Sequence, residues 1–222
     1  MKHPNRLLPM WFAGTFAFLL IVLSTKVMGA TEPAPDQIDR LRHDWAVAKY
    51  ETPRNKQDDA FLSLIERAEA LTNQYPNSAE ANLWHGTILA SYTAVIGGLS
   101  ALKYAKGARD HLEKALQIDA TVENGFAHGV IGALYARLPG WPIAFGDSKK
   151  ARNHILTFMQ MSPNGMDSNY YYGDFLLNEG QRDQAREHLL KAKRAKMPKG
   201  YEVAERGRLR EIEADLNKLS GR

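Results

Sequence analysis

Apolar residues return at three- and four-residue spacing through most of the chain, and proline, glycine or short polar stretches separate the runs. In residues 58–75, Phe61, Leu64, Ile65, Ala68, Leu71 and Tyr75 fall on one helical face, and Pro76 stops the pattern. Residues 36–50 repeat it, with Ile38, Leu41, Trp45 and Ala48 inward. Residues 201–219 place Leu209, Ile212, Leu216 and Leu219 on one face and charges elsewhere. No alternating run is long enough to predict a strand, so the pattern predicts an all-α chain. The stretch LPGWPIAFGD, residues 138–147, breaks the helical period with two prolines and two glycines, yet carries Trp141, Ile143 and Phe145. It reads as a stiff apolar loop. Phe145, beside the helix-capping Asp147, is expected to fold back onto the helices, and Trp141, nearer the tip, to stand at the rim of a binding surface.

The helical segments repeat. EANLWHGTILASY (80–92) aligns with ENGFAHGVIGALY (123–135) at an offset that also aligns GARDHLEKALQIDA (107–120) with KARNHILTFMQMSP (150–163). A third copy follows with a shorter link, and the interval from Ala151 to Ala185 is the 34-residue tetratricopeptide period. Gly86, Gly129 and Gly173 are the expected close-approach positions of the first helices, and Ala108, Ala151 and Ala185 those of the second. The expected architecture is a tetratricopeptide-type helical solenoid of about four helix pairs, the first degenerate, plus a C-terminal capping helix. Its complete repeats cover about 79–121, 122–165 and 166–199, with the cap at 201–219. The first two complete copies carry ten extra residues between their helices, and the 138–147 loop is the second of these inserts.

The segments PGWPIAFGDSKKAR, SPNGMDSNYYYGDFLLNEGQRDQAREHLLKA and ERGRLREIEADLNKL resemble exported bacterial tetratricopeptide proteins related to the T component associated with tripartite ATP-independent periplasmic (TRAP) transporters. The resemblance covers roughly residues 75–220. It implies a helical solenoid in the bacterial envelope that binds a partner such as a solute-binding protein, and it carries over no catalytic residue. Some relatives look like lipoproteins, whereas this chain has no cysteine to acylate.

Composition is that of a globular protein, 44% hydrophobic and 24% charged. The net charge of +4 is concentrated at the N-terminus: Lys2, Arg6 and Lys26 face no acid in residues 1–30, and the remainder holds 26 basic against 25 acidic residues. That balance gives no case for nucleic acid. Lys2 and Arg6 precede an apolar run from Trp11 to Leu23, followed by STKVMGA, the layout of a secretory signal peptide cleaved after Gly29 or Ala30. Residues 1–30 are thus expected to be removed, leaving a domain at 31–222 in the periplasm. The alternative is an uncleaved anchor through residues 7–23, the sole expected membrane contact. The absence of cysteine excludes disulfides and thiolate chemistry.

Candidate chemistry is sparse. No phosphate loop, nucleophile elbow or acid pair stands out, so no enzyme, cofactor or metal is expected. His85 and His128 recur one repeat apart, as do His111 and His154. Pairs spaced on the order of 10 Å, as packed helices are, do not share a metal. Glu80, Glu123 and Asp167 open the three first helices and read as favourable charges at the positive ends of helix dipoles, or else as an acidic ladder for a cationic ligand. Residues 181–210 hold 10 basic and 4 acidic residues and read as a solvated face. The row Leu83, Phe126 and Tyr170, with Asp174 one turn on and Trp141 at the rim, is the candidate partner-binding surface of a concave groove. The function these features suggest is binding of a protein or peptide, such as a periplasmic solute-binding protein, within an accessory component of TRAP-type transport. The alternatives are an anchored scaffold or quality-control protein, and a carrier with an enclosed pocket for a small apolar ligand. Nothing in the sequence bears on the oligomeric state.

Overall fold

The computed structural model describes residues 32–221, so the segment expected to be a signal or anchor lies outside the described residues. Nine α-helices make up the described chain, and no strand occurs among them: α1 (Pro35–Tyr50), α2 (Gln57–Gln74), α3 (Ala79–Ile96), α4 (Ala101–Ile118), α5 (Val122–Arg137), α6 (Ser148–Met161), α7 (Met166–Asn178), α8 (Arg182–Arg194) and α9 (Glu202–Leu219). Local chemistry sets many of the ends. Pro35 opens α1, where its missing N–H costs nothing. Ser78 and Asp147 cap α3 and α6 by accepting backbone N–H groups of the first turn. Gly97, at φ 60°, ends α3.

Each odd-numbered helix packs on the even-numbered helix that follows it, giving four pairs. The odd-numbered helices also pack on one another in order, α1 on α3, α3 on α5, α5 on α7 and α7 on α9. The last helix then packs on the first, so the inner row closes into a ring. The α1–α9 seam is tight. A Cβ on Gly207 would lie 2.1 Å from the Tyr50 ring, so only glycine lets α9 sit on that ring. Arg206 pairs with Glu51 at 2.7 Å, and Arg210 donates to the Tyr50 carbonyl at 3.0 Å. No described helix is long and apolar enough to cross a membrane.

The three repeat glycines all sit at helix contacts, Gly129 against Phe158 of its paired helix at 2.6 Å, but the second complete copy is out of register. Gly86 lies where a Cβ would meet Leu112 Cγ at 2.6 Å and the Ala108 carbonyl at 2.9 Å. In the next pair the matching contacts, to Ile155 at 2.5 Å and the Ala151 carbonyl at 3.2 Å, belong to Gly132 and not to Gly129, which instead faces Phe158 and Tyr171. Gly173 faces Leu189 at 2.8 Å, as Gly86 faces Leu112. Helix α5 is therefore set three residues away from its sequence alignment, while α6 keeps the expected register. The histidines report the same shift: His111 Nδ1 donates to Asn82 and His188 Nδ1 to Asn169, whereas His154 Nδ1 meets His128 Nδ1. The cause lies at the start of α5. Glu123, Asn124 and Gly125 adopt φ of 44°, 53° and 85°, so the regular helix begins only at Phe126. Asn82 and Asn169 each tie down the turn before their helix through two backbone carbonyls. The alignment puts Gly125, which has no side chain to do this, at that position.

If Gly132 is the packing glycine, Gly132→Leu should lose about 1–3 kcal/mol in chemical denaturation, as overpacked cores do. Gly86→Leu should match it. A Gly132→Leu protein as stable as wild type would contradict the shifted register.

Candidate functional site

Between the helices of the inner row lies an open-mouthed cavity of about 580 Å3. Its walls come from the C-terminal halves of α3 and α5, from Trp45 and Lys49 of α1, from Tyr171 of α7 and from Glu211 of α9. The two inserts form its rim, through Gly97, Gly98 and Leu99 on one side and Leu138, Pro139 and Ile143 on the other. Most of the lining is aliphatic or small: Ala90, Ala94, Leu102, Val130, Ala133 and Leu134.

The polar groups on the wall are already partnered. Thr87 and Thr93 donate to the carbonyls of Leu83 and Leu89 at 2.8 and 2.9 Å. Ser91 donates to the Thr87 carbonyl at 2.9 Å and accepts the Trp45 indole N–H at 2.8 Å. Arg137 pairs with Asp174 at 2.7 Å. Lys49 pairs with Glu211 at 3.1 Å. Burial pulls the Lys49 ammonium down to about 8, against the pull of Glu211 in the other direction. Burial would raise the Glu211 carboxyl, but the charges of Arg208 and Lys49 and the hydrogen bonds from Lys49 and Tyr50 outweigh it and bring it to about 2. At neutral pH both groups are ionised and compensate each other.

Beneath this floor lies the residue that holds α9 in place. Arg208 is 2% exposed, donates to Asp167 at 2.6 Å and to Glu211 at 2.5 Å, and lies over the Tyr170 ring at 4.2 Å. Arg42 forms a second tie, bonding the Tyr201 hydroxyl and standing 3.6 Å from Glu123, whose carboxylate accepts the Trp84 indole N–H at 2.7 Å. Burial raises the Glu123 carboxyl, opposed by that hydrogen bond and by Arg42.

These contacts revise the sequence-predicted site. Leu83, Phe126 and Tyr170 are buried; Leu83 and Phe126 belong to the core, while Tyr170 and Asp174 also form part of the wall of a second, more polar and more open cavity of about 520 Å3 with Asp215 and Lys218. Phe126 packs among Trp84, Phe158 and Tyr171, and Tyr170 lies under Arg208. The groove that the row would have faced is filled by the chain's own last helix. Asp174 sits beside the cavity and is engaged by Arg137. Trp141 stands 90% exposed on the rim loop, while Phe145 turns inward against Tyr135 at 5.5 Å. Ala108, Ala151 and Ala185 are fully buried at the helix contacts. Glu123 and Asp167 are not merely helix-end charges: they accept Trp84 and Arg208 across the fold. Arg208, one of the basic run, belongs to the interior. The histidines pair within a helix pair, His85 stacking on His111 at 3.9 Å and His128 bonding His154 at 2.9 Å. Burial, and the neighbouring histidine of each pair, push His85 down to about 3 and His154 to about 4, so all are neutral packing groups at pH 7. Among the described residues no cluster of three or more candidate metal ligands occurs.

Sequence reasoning missed Lys49, Glu211 and Arg137. Lys49 and Glu211 lie at opposite ends of the described chain, and no local pattern joins them. The usable signal was the pair of inserts, which shape the rim. No known family model matches the chain, and no curated protein matches it.

Arg208→Met should cost about 3–5 kcal/mol, because it strands Asp167 and Glu211 without their buried partner. Lys49→Met should stay within about 1 kcal/mol, since Glu211 keeps Arg208. Urea unfolding at pH 7 distinguishes the two. The depressed Glu211 carboxyl adds a pH dependence of definite sign. Its contribution is complete above the ordinary value near 4.5 and is lost as the pH falls towards about 2. Glu211→Gln should flatten stability between these values relative to wild type.

Proposed function

We propose that the protein is a non-enzymatic helical-repeat carrier that holds a small, largely apolar ligand inside the closed ring. One observation carries this reading: a cavity of about 580 Å3 whose polar and charged wall groups are already paired with protein. Its size falls within the roughly 300–1,000 Å3 of small-molecule sites. A ligand bearing a full charge would have to break an existing ion pair and strand a poorly solvated group. An apolar ligand needs only the aliphatic wall, at about 25 cal/mol per Å2 of surface removed from water. A peptide in an open groove is the weaker reading, because α9 occupies that groove.

The four helix pairs and the 34-residue interval support grouping the array with the tetratricopeptide solenoids. The signal-like first 30 residues support export. The resemblance of residues 75–220 to proteins related to the TRAP T component supports an envelope location, with a periplasmic solute-binding protein as the partner that gives or receives the ligand. In this reading the inner ring is the carrier, and the inserts govern access to it.

Protein purified without detergent should carry a co-purifying apolar molecule, seen in mass spectra of its organic extract and as added mass in native spectra. Ala133→Phe, which fills the cavity from the α5 wall, should abolish that mass without lowering the melting temperature. Wild-type protein with no added mass and no affinity for a neutral apolar fluorophore would overturn the carrier reading.

A further inference from the structure

The cavity meets solvent between two loops, residues 97–100 and 138–147, and both present large apolar side chains outward. Trp141 is 90% exposed, Leu99 79% and Ile143 58%. Among the described residues the other exposed large apolar side chains reach at most 41% and are scattered over α2, α4, α6 and α8. The 138–147 loop is not a loose segment that happens to point out. The Gly140 carbonyl accepts from Ile143 and Ala144 at 3.1 and 3.2 Å, Gly146 N–H reaches the Pro139 carbonyl at 2.9 Å, and Asp147 N–H reaches Tyr135 at 2.9 Å. A Cβ on Gly146 would lie 1.9 Å from the Leu138 carbonyl, so the two strands of the loop touch at a residue that must be glycine. The tip is held outward while Phe145 from the same loop is packed inward.

Charge supplies the second observation. Lys103 lies in the first turn of α4, and Lys149 and Lys150 in the first turn of α6; all three are exposed, and neither turn contains an acid. A cation at the positive end of a helix dipole is unfavourable for the helix, so helix stability does not account for them. One acid, Asp147, caps α6 by accepting from the backbone N–H groups of Lys149 and Lys150, and its charge offsets part of theirs. The rim is therefore an apolar tip flanked by two helix starts that hold three lysines against one acid.

We propose that this rim docks on an anionic lipid bilayer. Trp141, Leu99 and Ile143 enter the interface, Lys103, Lys149 and Lys150 face lipid phosphates, and the cavity mouth is apposed to the acyl region. Tryptophan favours that depth, and each lysine near an anionic surface adds to binding. Three side chains on two loops suit insertion better than a stable protein interface, which needs about 1,200 Å2 or more. This inference rests on the carrier reading, and it gives an apolar ligand a route between bilayer and cavity that does not cross water.

The test uses the full chain and vesicles of phosphatidylcholine, with or without about one-third phosphatidylglycerol, bearing bromine-labelled acyl chains. Subtracting the emission of Trp141→Phe from that of wild type isolates Trp141 from the other tryptophans and from any contribution of the N-terminal apolar run. The expected result is a blue shift and bromine quenching of Trp141 with the anionic vesicles. Both should be several-fold weaker with phosphatidylcholine alone and reversed by added salt. They should be absent in a Leu99→Ser/Ile143→Ser double variant whose melting curve is that of wild type. The proposal is overturned if Trp141 stays open to acrylamide with vesicles present, if neutral and anionic vesicles act alike, or if Trp141 is already shielded by self-association or by a protein partner. Binding of N-phenyl-naphthylamine in solution separates the two readings. If it persists while docking fails, only the docking falls; if the dye does not bind, the carrier reading falls.

Discussion

The arrangement depends on one buried guanidinium. Arg208 reaches from the last helix to Asp167 at the start of α7 and to Glu211 on its own helix, over the rings of Tyr170 and Tyr171. A cation this buried is tolerable only with its charge and hydrogen bonds matched, and the two carboxylates supply both. Because the match exists in one geometry, it places α9 in one position. That position sets the Tyr50 ring on Gly207 and closes the inner row. A repeat array ordinarily leaves its concave face open along its length. Here the last helix converts that face into a chamber.

Closure has a chemical consequence. An open groove would present Tyr170, Phe126 and the acids at the starts of the inner helices to an incoming partner. With α9 in place these groups turn to the chain's own Arg208, Arg42 and Trp84, and the end of the ring near the two inserts keeps its apolar cavity, while a more polar cleft remains between α5, α7 and α9. The hydroxyls there bond back to their own helices, and the charges pair across helices. The chamber is left apolar while its surroundings are strongly polar. The wall thus holds little polar capacity for a ligand, and the exposed apolar side chains and the excess of lysine at this end sit outside, on the rim.

The left-handed turn at Glu123 to Gly125 belongs to the same design. Two non-glycine residues at positive φ are costly and persist where their surroundings hold them. The turn sends the Glu123 carboxylate inward to Trp84 and Arg42, joining α5 to α3, α1 and the start of α9. It also delays the regular helix, which moves Gly132 into the place that Gly86 holds one pair earlier. The sequence repeat marks the pairs, and a local departure from it fits the third pair to the ring.

The sequence by itself determined the helices and much of their pairing. Apolar spacing marks a buried face on α1, α2 and α9, Pro76 and Asp147 mark ends, and Ala108, Ala151 and Ala185 mark where backbones touch. All of these are local signals, readable within a few turns. It also marked Trp141 and the inserts as unusual, because apolar residues in a loop conflict with solvation wherever the loop lies. Only the tertiary structure decided whether the array stays open. Closure rests on contacts between the first and last described helices, such as Tyr50 with Glu211, and no periodic pattern connects residues so far apart. The register of α5 was hidden for a related reason. A sequence alignment assumes that every aligned residue is helical, and three left-handed residues rotate and delay all that follow them. Arg208 and Asp167 could be counted as charges in the sequence, but their burial against each other is a property of the closed ring.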